Sequence, residues 1–242
     1  MALSGSTDFS MFAAEVVKRA MVKCGRCALD SDPQPEEAEF FLGTLMALVL
    51  SLQDQKTLLW TRERTTQALT PTGGDGSGII YSLANDTLDI VPGEIQVLES
   101  GGTNYIPVRL ISQGDYWKKP DRSSSTGIPT QVMIEKNRAY SGTTHAFSGR
   151  LSLYVYPKPD ATYTLYYTRV RRLADLDSGA NDVDAPERWM KVLVDLLAAE
   201  ISPDCGLNQD ERGDLMVRAV QSKTTALRND RDRAPTKFYP RS

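Results

Sequence analysis

Few residues of this sequence have the chemistry of a nucleophilic or metal-dependent active site. His145 is the single histidine of the 242 residues, and the cysteines are Cys24, Cys27 and Cys205. A nucleophilic triad would have to use His145, which lies in SGTTHAFSG, a polar segment typical of a surface turn. A zinc site needs four ligands, and the CxxC pair follows a helix instead of opening one. We therefore expect no catalytic residue, metal site or cofactor, and reduced structural thiols.

Two clusters of carboxylates are the remaining candidates for hydrolytic chemistry. Their members are Glu36, Glu37 and Glu39 in the first and Asp175, Asp177, Asp182 and Asp184 in the second. The first cluster has the position of acids in the first turn of a helix, and the second resembles a loop followed by a capping box over 184–187. No phosphate-binding, dinucleotide-binding or zinc-protease motif is present. A hydrolase of unknown substrate stays as an alternative.

Basic residues alternate with aromatic residues in two segments, which is a pattern of nucleic-acid contact. The segments are YWKK at 116–119 and YYTRVRR at 166–172. Aromatic rings can stack on bases while Lys and Arg neutralise phosphates. Alternating tyrosines are also typical of a strand that packs in a core. A nucleic-acid-binding module is therefore a second alternative function.

The elements that position these residues can be predicted from the sequence, and both ends of the chain show helical periodicity. Apolar residues at i, i+3 and i+4 predict helices over about 8–24, 35–60, 184–201 and 209–228. A basic, proline-broken segment, 229–242, follows and is predicted to be extended. Since each helix has an apolar stripe to bury, we expect the terminal pairs, 1–60 and 184–228, to form one discontinuous helical bundle.

Between the helix pairs the pattern changes to short alternating runs. Residues 61–78 end in a Gly- and Pro-rich stretch and are predicted to be a flexible linker. Seven runs within 79–172, separated by turn residues, predict an antiparallel β insertion. Their positions are 79–83, 88–91, 94–99, 105–111, 130–136, 150–157 and 162–170. The predicted fold class is α+β, a helical bundle with an inserted antiparallel sandwich-like or barrel-like region and an extended C-terminal tail.

The formal net charge of −3 conceals strongly charged blocks of alternating sign. Residues 1–29 carry +2, 30–99 carry −9, 100–174 carry +7, 175–214 carry −8 and 215–242 carry +5. Such segregation is typical of a protein that meets partners over broad faces. The first ten residues lack the features of a signal peptide, and the longest apolar stretch, 40–52, is too short to cross a bilayer, so we expect no membrane partner.

Several motifs, taken in order, resemble the head-to-tail adaptor (tail tubular, head-completion) proteins of short-tailed bacteriophages. A helix ends in VKxxMVKCG and is followed by the helix EEAEFFLGTLMALVLSLQ. Next come GIPTQVMIEKN, GRLSLYVYPKPDATYTLYYTRVRRL and the helix DAPERWMKVLVDLLAAEISPDCGL. A basic helix and the tail RAPTKFYPR close the series. The segments 61–78 and SGTTHAFSG have no counterpart in this pattern.

The resemblance implies a structural, non-enzymatic virion protein that is assembled in the host cytoplasm. Such proteins form a dodecameric ring, bind the portal protein, extend the DNA channel and receive the next tail component, or nozzle. Carried onto this chain, the tail would dock on the portal through Arg228, Arg231, Arg233, Pro235, Lys237, Phe238, Tyr239 and Arg241. Candidates for contacts between subunits or with DNA in the channel are Lys118, Lys119, Arg169, Arg171 and Arg172. We expect replacement of these arginines by alanine to leave folding intact.

Overall fold

The computed structural model of the chain describes residues 11–54, 58–74, 76–99, 101–141 and 146–230, with the backbone alone at 54, 137–141 and 146–150. The chain divides into two compact units. The helical unit comprises Met1–Trp60 and Leu173–Ser242, and the β unit comprises Thr61–Arg172.

Two helices come first along the described chain, then the strands with one short helix among them, and then two further helices. The helices are α1 (Ala13–Lys23), α2 (Pro35–Asp54), α3 (Gln113–Trp117), α4 (Glu187–Ile201) and α5 (Gln209–Asn229), with a 3₁₀ turn at Leu59–Thr61. The strands are β1 (Arg62–Leu69), β2 (Ile80–Ser82), β3 (Thr87–Leu98), β4 (Tyr105–Pro107), β5 (Arg109–Leu110), β6 (Gln131–Ser141), β7 (Ala146–Tyr156) and β8 (Tyr163–Arg171).

One apolar core holds the helical unit together. It collects the buried sides of α1, α2, α4 and α5, with Trp189 of α4 fully buried. Trp189 lies against Trp60, with ring centres 4.9 Å apart. Because α4 is apolar on most of its circumference, it packs against α1, α2 and α5 together. Helices far apart in sequence therefore share a single core.

Two four-stranded sheets make up the β unit. Their strand orders are β1-β8-β3-β4 and β2-β7-β6-β5. Neighbours are antiparallel except β5 and β6, which are parallel. Side chains of both sheets, such as Leu165 from the first and Leu153 from the second, belong to one core. The fold class is α+β as predicted, and within the described residues the two sheets stay separate, so the barrel-like alternative is not met.

The segment 61–78 contains a strand that the sequence did not predict. β1 pairs along its whole length with β8, from Arg62 opposite Val170 to Leu69 opposite Tyr163. The prediction of a flexible linker is therefore wrong for the first half of this segment. β1 is an edge strand with mostly exposed side chains, so its sequence RERTTQAL can be polar except at its end. Pairing with β8 supplies the order that local hydrophobicity does not.

Several predicted boundaries also differ from the structure. α1 begins at Ala13, since Phe12 has extended backbone and pairs with Asp182. α2 ends at Asp54 instead of Trp60. The predicted turn at Pro92 and Gly93 lies inside β3 as an irregularity, where Gly93 has a φ of 85° that favours glycine.

The capping box predicted at 184–187 does not form. Pro186 is the N-cap of α4 and makes no side-chain cap. The Asp184 carboxylate instead accepts a hydrogen bond from the Ala174 amide at 3.1 Å. Conversely, α5 begins with a full capping box, in which Asn208 and Glu211 exchange hydrogen bonds.

Candidate interaction surfaces

The end of α5 is held by a buried aspartate. The helix reaches Asn229, and the Asp230 amide donates to the Ala226 carbonyl at 3.0 Å. The Asp230 carboxylate is almost inaccessible to solvent. It accepts a hydrogen bond from the Trp189 indole Nε1 at 2.8 Å and pairs with Arg188.

This anchor corrects the predicted start of the C-terminal tail. Asn229 belongs to α5 and Asp230 to the core of the helical unit, so an extended segment cannot begin before residue 231. Among the residues predicted to dock on the portal, Arg228 lies in the last turn of α5 and is exposed. The others, Arg231, Arg233, Pro235, Lys237, Phe238, Tyr239 and Arg241, lie outside the described residues.

A second buried carboxylate links three helices of the same unit. Asp195 of α4 pairs with Lys23 of α1 and accepts a hydrogen bond from the Ser222 hydroxyl of α5. Burial acts to raise the pKa of the Asp195 carboxyl, but the bonds from Lys23 and Ser222 outweigh it, so that its pKa is lowered. Asp195 therefore remains ionised at neutral pH and holds α1, α4 and α5 in register.

Arg169 has a place in the β unit that differs from its predicted role in a contact between molecules. Its side chain is only 11% exposed, and its guanidinium lies between carboxylates of Glu63 on β1 and Asp86 before β3. It also donates to the Thr87 hydroxyl at 3.1 Å. The distance from Nη2 to the Glu63 Oε2 is 2.8 Å. Because these bonds use most of the donors of the guanidinium, Arg169 joins three chain segments within its own unit.

Arg171 and Arg172 lie at the end of β8, beside Arg169. The Arg171 guanidinium donates to the carbonyl of Arg172 at 3.1 Å. The Arg172 amide donates to the Asp86 carbonyl at 2.7 Å, while its side chain is exposed. The exposed guanidinium of Arg172 can therefore contact a neighbouring molecule.

An aromatic–basic cluster surrounds the short helix α3. The Ser112 hydroxyl caps this helix by accepting from the Asp115 amide at 3.1 Å. Tyr116 is buried, and burial raises the pKa of its hydroxyl to about 12. Trp117 is exposed, and the Arg122 guanidinium lies 4.7 Å from its ring centre. This cation–π contact fixes Trp117 in position on the surface.

Lys118 and Lys119, both predicted as contact residues, extend this cluster. The Lys119 ammonium lies 5.5 Å from the centre of the Tyr156 ring. Both lysines and Arg109 line a cavity of about 540 Å³. Trp117, Lys119 and Arg122 also border a neighbouring cavity of about 460 Å³. The structure thus brings Lys118 and Lys119 together but leaves Arg169, Arg171 and Arg172 at a separate place on the β unit.

Sequence reasoning missed Asp230, Arg122 and the cap of α3. The partners of Asp230 are 41 and 42 residues away, so that no local pattern shows them. The arrangement S-x-x-D at Ser112 and Asp115 was a visible signal for a helix start.

No group of three or more potential metal ligands comes together among the residues that the structure describes. Cys24 is buried, donates to the Ala198 carbonyl at 3.2 Å, and has its pKa raised to about 12 by burial and the nearby Cys205. Glu37 pairs with Arg26, and Asp177 accepts from Asn181. His145 lies outside the described residues. No helix in the described ranges is long and apolar enough to cross a membrane.

The fold is α+β, and the charged and aromatic groups described above pack within its two units or lie on their surfaces. The family model described as SU10 adaptor protein matches residues 14–239, which include most of both units. The chain belongs to this family of phage head-to-tail adaptors, and the resemblance stated from the sequence is confirmed. It is therefore a structural component of the virion. No curated protein matches the chain.

Proposed function

We propose that copies of this chain form a dodecameric ring beneath the portal, extend the channel for DNA and present the surface that receives the next tail component. The observation that carries this proposal is the family match over residues 14–239. In this proposal the helical unit is a bundle that forms the ring, and the β unit is a sandwich-like insertion directed towards the tail. Assembly takes place in the host cytoplasm.

The C-terminal segment is proposed to bind the portal. Asp230 supports this role because it ties the point where the segment leaves the helical unit to Trp189 and Arg188. Residues 231–242 carry four basic residues and the aromatic pair Phe238 and Tyr239. A basic segment with aromatic anchors can order itself on an acidic surface of another protein.

Exposed basic residues of the β unit are proposed to meet neighbouring subunits or DNA in the channel. They are Lys118 and Arg172, together with the half-buried Lys119, and Trp117 and Arg122 lie beside the lysines. Trp and Arg are enriched among the residues that dominate binding energies. Any contact with DNA would be to phosphates, without reading of sequence. Arg169 is left out of this set because its guanidinium is committed within the β unit.

Removal of residues 231–242 tests the docking role. The deletion begins after Asp230, so that the anchor and α5 remain, and the truncated protein should melt at the temperature of the full chain. Binding to purified portal protein of the same phage, measured by sedimentation, should be lost. The variant Arg62→Ala is the matched control, since it removes an exposed positive charge at a position with no proposed contact and should still bind. Portal binding by the truncated protein at full strength would exclude the docking role.

A further inference from the structure

Helix α2 has a second apolar face that the described part of the helical unit leaves exposed. Its buried face includes Phe41, Leu45 and Val49. The opposite face presents Phe40, Gly43, Ala47 and Leu50, whose spacing of three and four residues keeps them on one line. Phe40 is 63% and Leu50 is 52% exposed. A helix that is apolar all round is normally covered on all sides.

Helix α5 has a matching outer face. It packs inward through Leu215, Ala219 and Ala226. Its outer face presents Gly213, Val217, Val220 and Thr224, and both valines are more than half exposed. Met216 lies exposed at the edge of this face.

The two outer faces complement each other in size when the helices run antiparallel. Both repeat at steps of three and four residues, and large side chains of one face then meet small residues of the other. The resulting pairs are Leu50 with Gly213, Ala47 with Val217, Gly43 with Val220 and Phe40 with Thr224. Small residues at such positions allow the helix backbones to approach closely.

The charges at the start of α2 favour the same direction. The first turns of α2 carry the exposed Glu36 and Glu39, and α2 contains no Lys or Arg. An antiparallel α5 places Arg228 opposite Glu36, whereas a parallel one would place Asp210 and Asp214 against the two glutamates. Antiparallel helices also align their dipoles favourably. Arg228, predicted to bind the portal, would here serve the contact between subunits.

We propose that the outer face of α2 in one subunit packs antiparallel against the outer face of α5 in the next subunit. The proposal rests on the proposed ring function and names the surfaces that build it. Both faces point away from the core that their own helices share, and the described residues of the chain leave them exposed, so that a neighbouring subunit can cover them. Because the two faces are different, the contact is heterologous, and a heterologous contact repeats around a closed ring.

The modest size of the contact predicts how the ring forms. The matched stretch of α2, from Phe40 to Leu50, spans ten residue steps and is about 15 Å long. A contact of this length buries less than the roughly 800 Å² per partner of a standard stable interface. Free subunits should therefore associate weakly, and binding to the portal should promote ring closure by bringing the subunits together.

Paired cysteines test this contact directly. In a background with Cys27→Ser and Cys205→Ser, Ala47→Cys and Val217→Cys are introduced singly and together, and the proteins are oxidised on the portal. A disulfide requires Cα atoms within about 7 Å, so it forms only if the faces meet. The double variant should give a ladder of oligomers on a non-reducing gel. On the same gel, each single variant should run as a monomer, and a mixture of the two single variants should give dimers only.

The control pairs Ala47→Cys with Glu200→Cys, an exposed position on α4 outside both faces, and should give no ladder. Cross-linking of the Ala47→Cys single variant would contradict the proposal, because such a cross-link forms only if the α2 faces of two subunits meet each other. Portal-bound rings of the double variant without a ladder would overturn the interface but leave the adaptor function intact. Failure of the unmodified chain to form any ring on the portal would refute both.

Discussion

Replacement of Asp230 by alanine is the sharpest test of the anchor at the end of α5. The change removes the acceptor of the Trp189 indole N–H. Trp189 is fully buried, so its N–H would be left without a hydrogen-bond acceptor. An unsatisfied buried donor costs about 1–3 kcal/mol. The ion pair with Arg188, whose side chain is half exposed, adds at most about 1 kcal/mol. We therefore expect the free energy of unfolding to fall by about 3 kcal/mol.

Thermal unfolding of the full chain, followed by tryptophan fluorescence, measures this loss. One kcal/mol changes Tm by about 2–4 °C in a protein of this size, so Asp230→Ala should lower Tm by about 6–12 °C. Asp230→Asn keeps an oxygen acceptor for the indole and should lose only the contribution of the ion pair, about 1 kcal/mol. The control Asn229→Ala, at the exposed neighbouring position, should stay within about 0.5 kcal/mol of the wild type. Equal melting of Asp230→Ala and Asn229→Ala would refute the anchoring role.

Two further predictions concern the other buried charges. Arg169→Ala should lower the free energy of unfolding of the β unit by about 2 kcal/mol, and with it the urea midpoint; the loss is limited because Glu63 and Asp86 become hydrated once the guanidinium is removed. Arg172→Ala should change neither quantity. Hydrogen exchange in β1 and β8 measures the difference, and equal protection in the two variants would contradict the prediction. The lowered pKa of Asp195 predicts stability that is present above the pKa of an unfolded aspartate, about 3.9, and is lost as the pH falls through the lower pKa of the folded state. Asp195→Asn should remove this pH dependence, which urea unfolding measured from pH 6 to 2 at about one-unit steps would show. If the free energy of unfolding of the variant fell with acid as that of the wild type does, the role of Asp195 would be contradicted.

Local periodicity is sufficient to predict the four long helices but not their ends. The apolar steps of α1, α4 and α5 come from residues within a few positions of one another, so the sequence displays them directly. The start of α1 depends on the pairing of Phe12 with Asp182, and such a distant partner is invisible to a local pattern. β1 was missed for the same reason, because its order comes from β8.

The candidate surfaces could be predicted only as residue types. The sequence shows that Arg169 is basic and close to tyrosines, but not that Glu63 and Asp86 enclose it from 106 and 83 residues away. Lys118 and Lys119 were chosen as candidates because they adjoin aromatic residues in the chain, and their contact role stays a prediction. Arg122 completes the aromatic–basic cluster through the fold around α3. Long-range contacts thus decide which charges are free to meet a partner.

Electron microscopy of the protein mixed with the portal of its phage tests the central claim most directly. The adaptor function predicts a closed dodecameric ring at the base of the portal, with a central channel continuous with the portal channel. The C-terminal segment after Asp230 should contact the portal in the resulting map. Subunits that remain unattached, or that bind the portal without forming a ring, would contradict the proposed function.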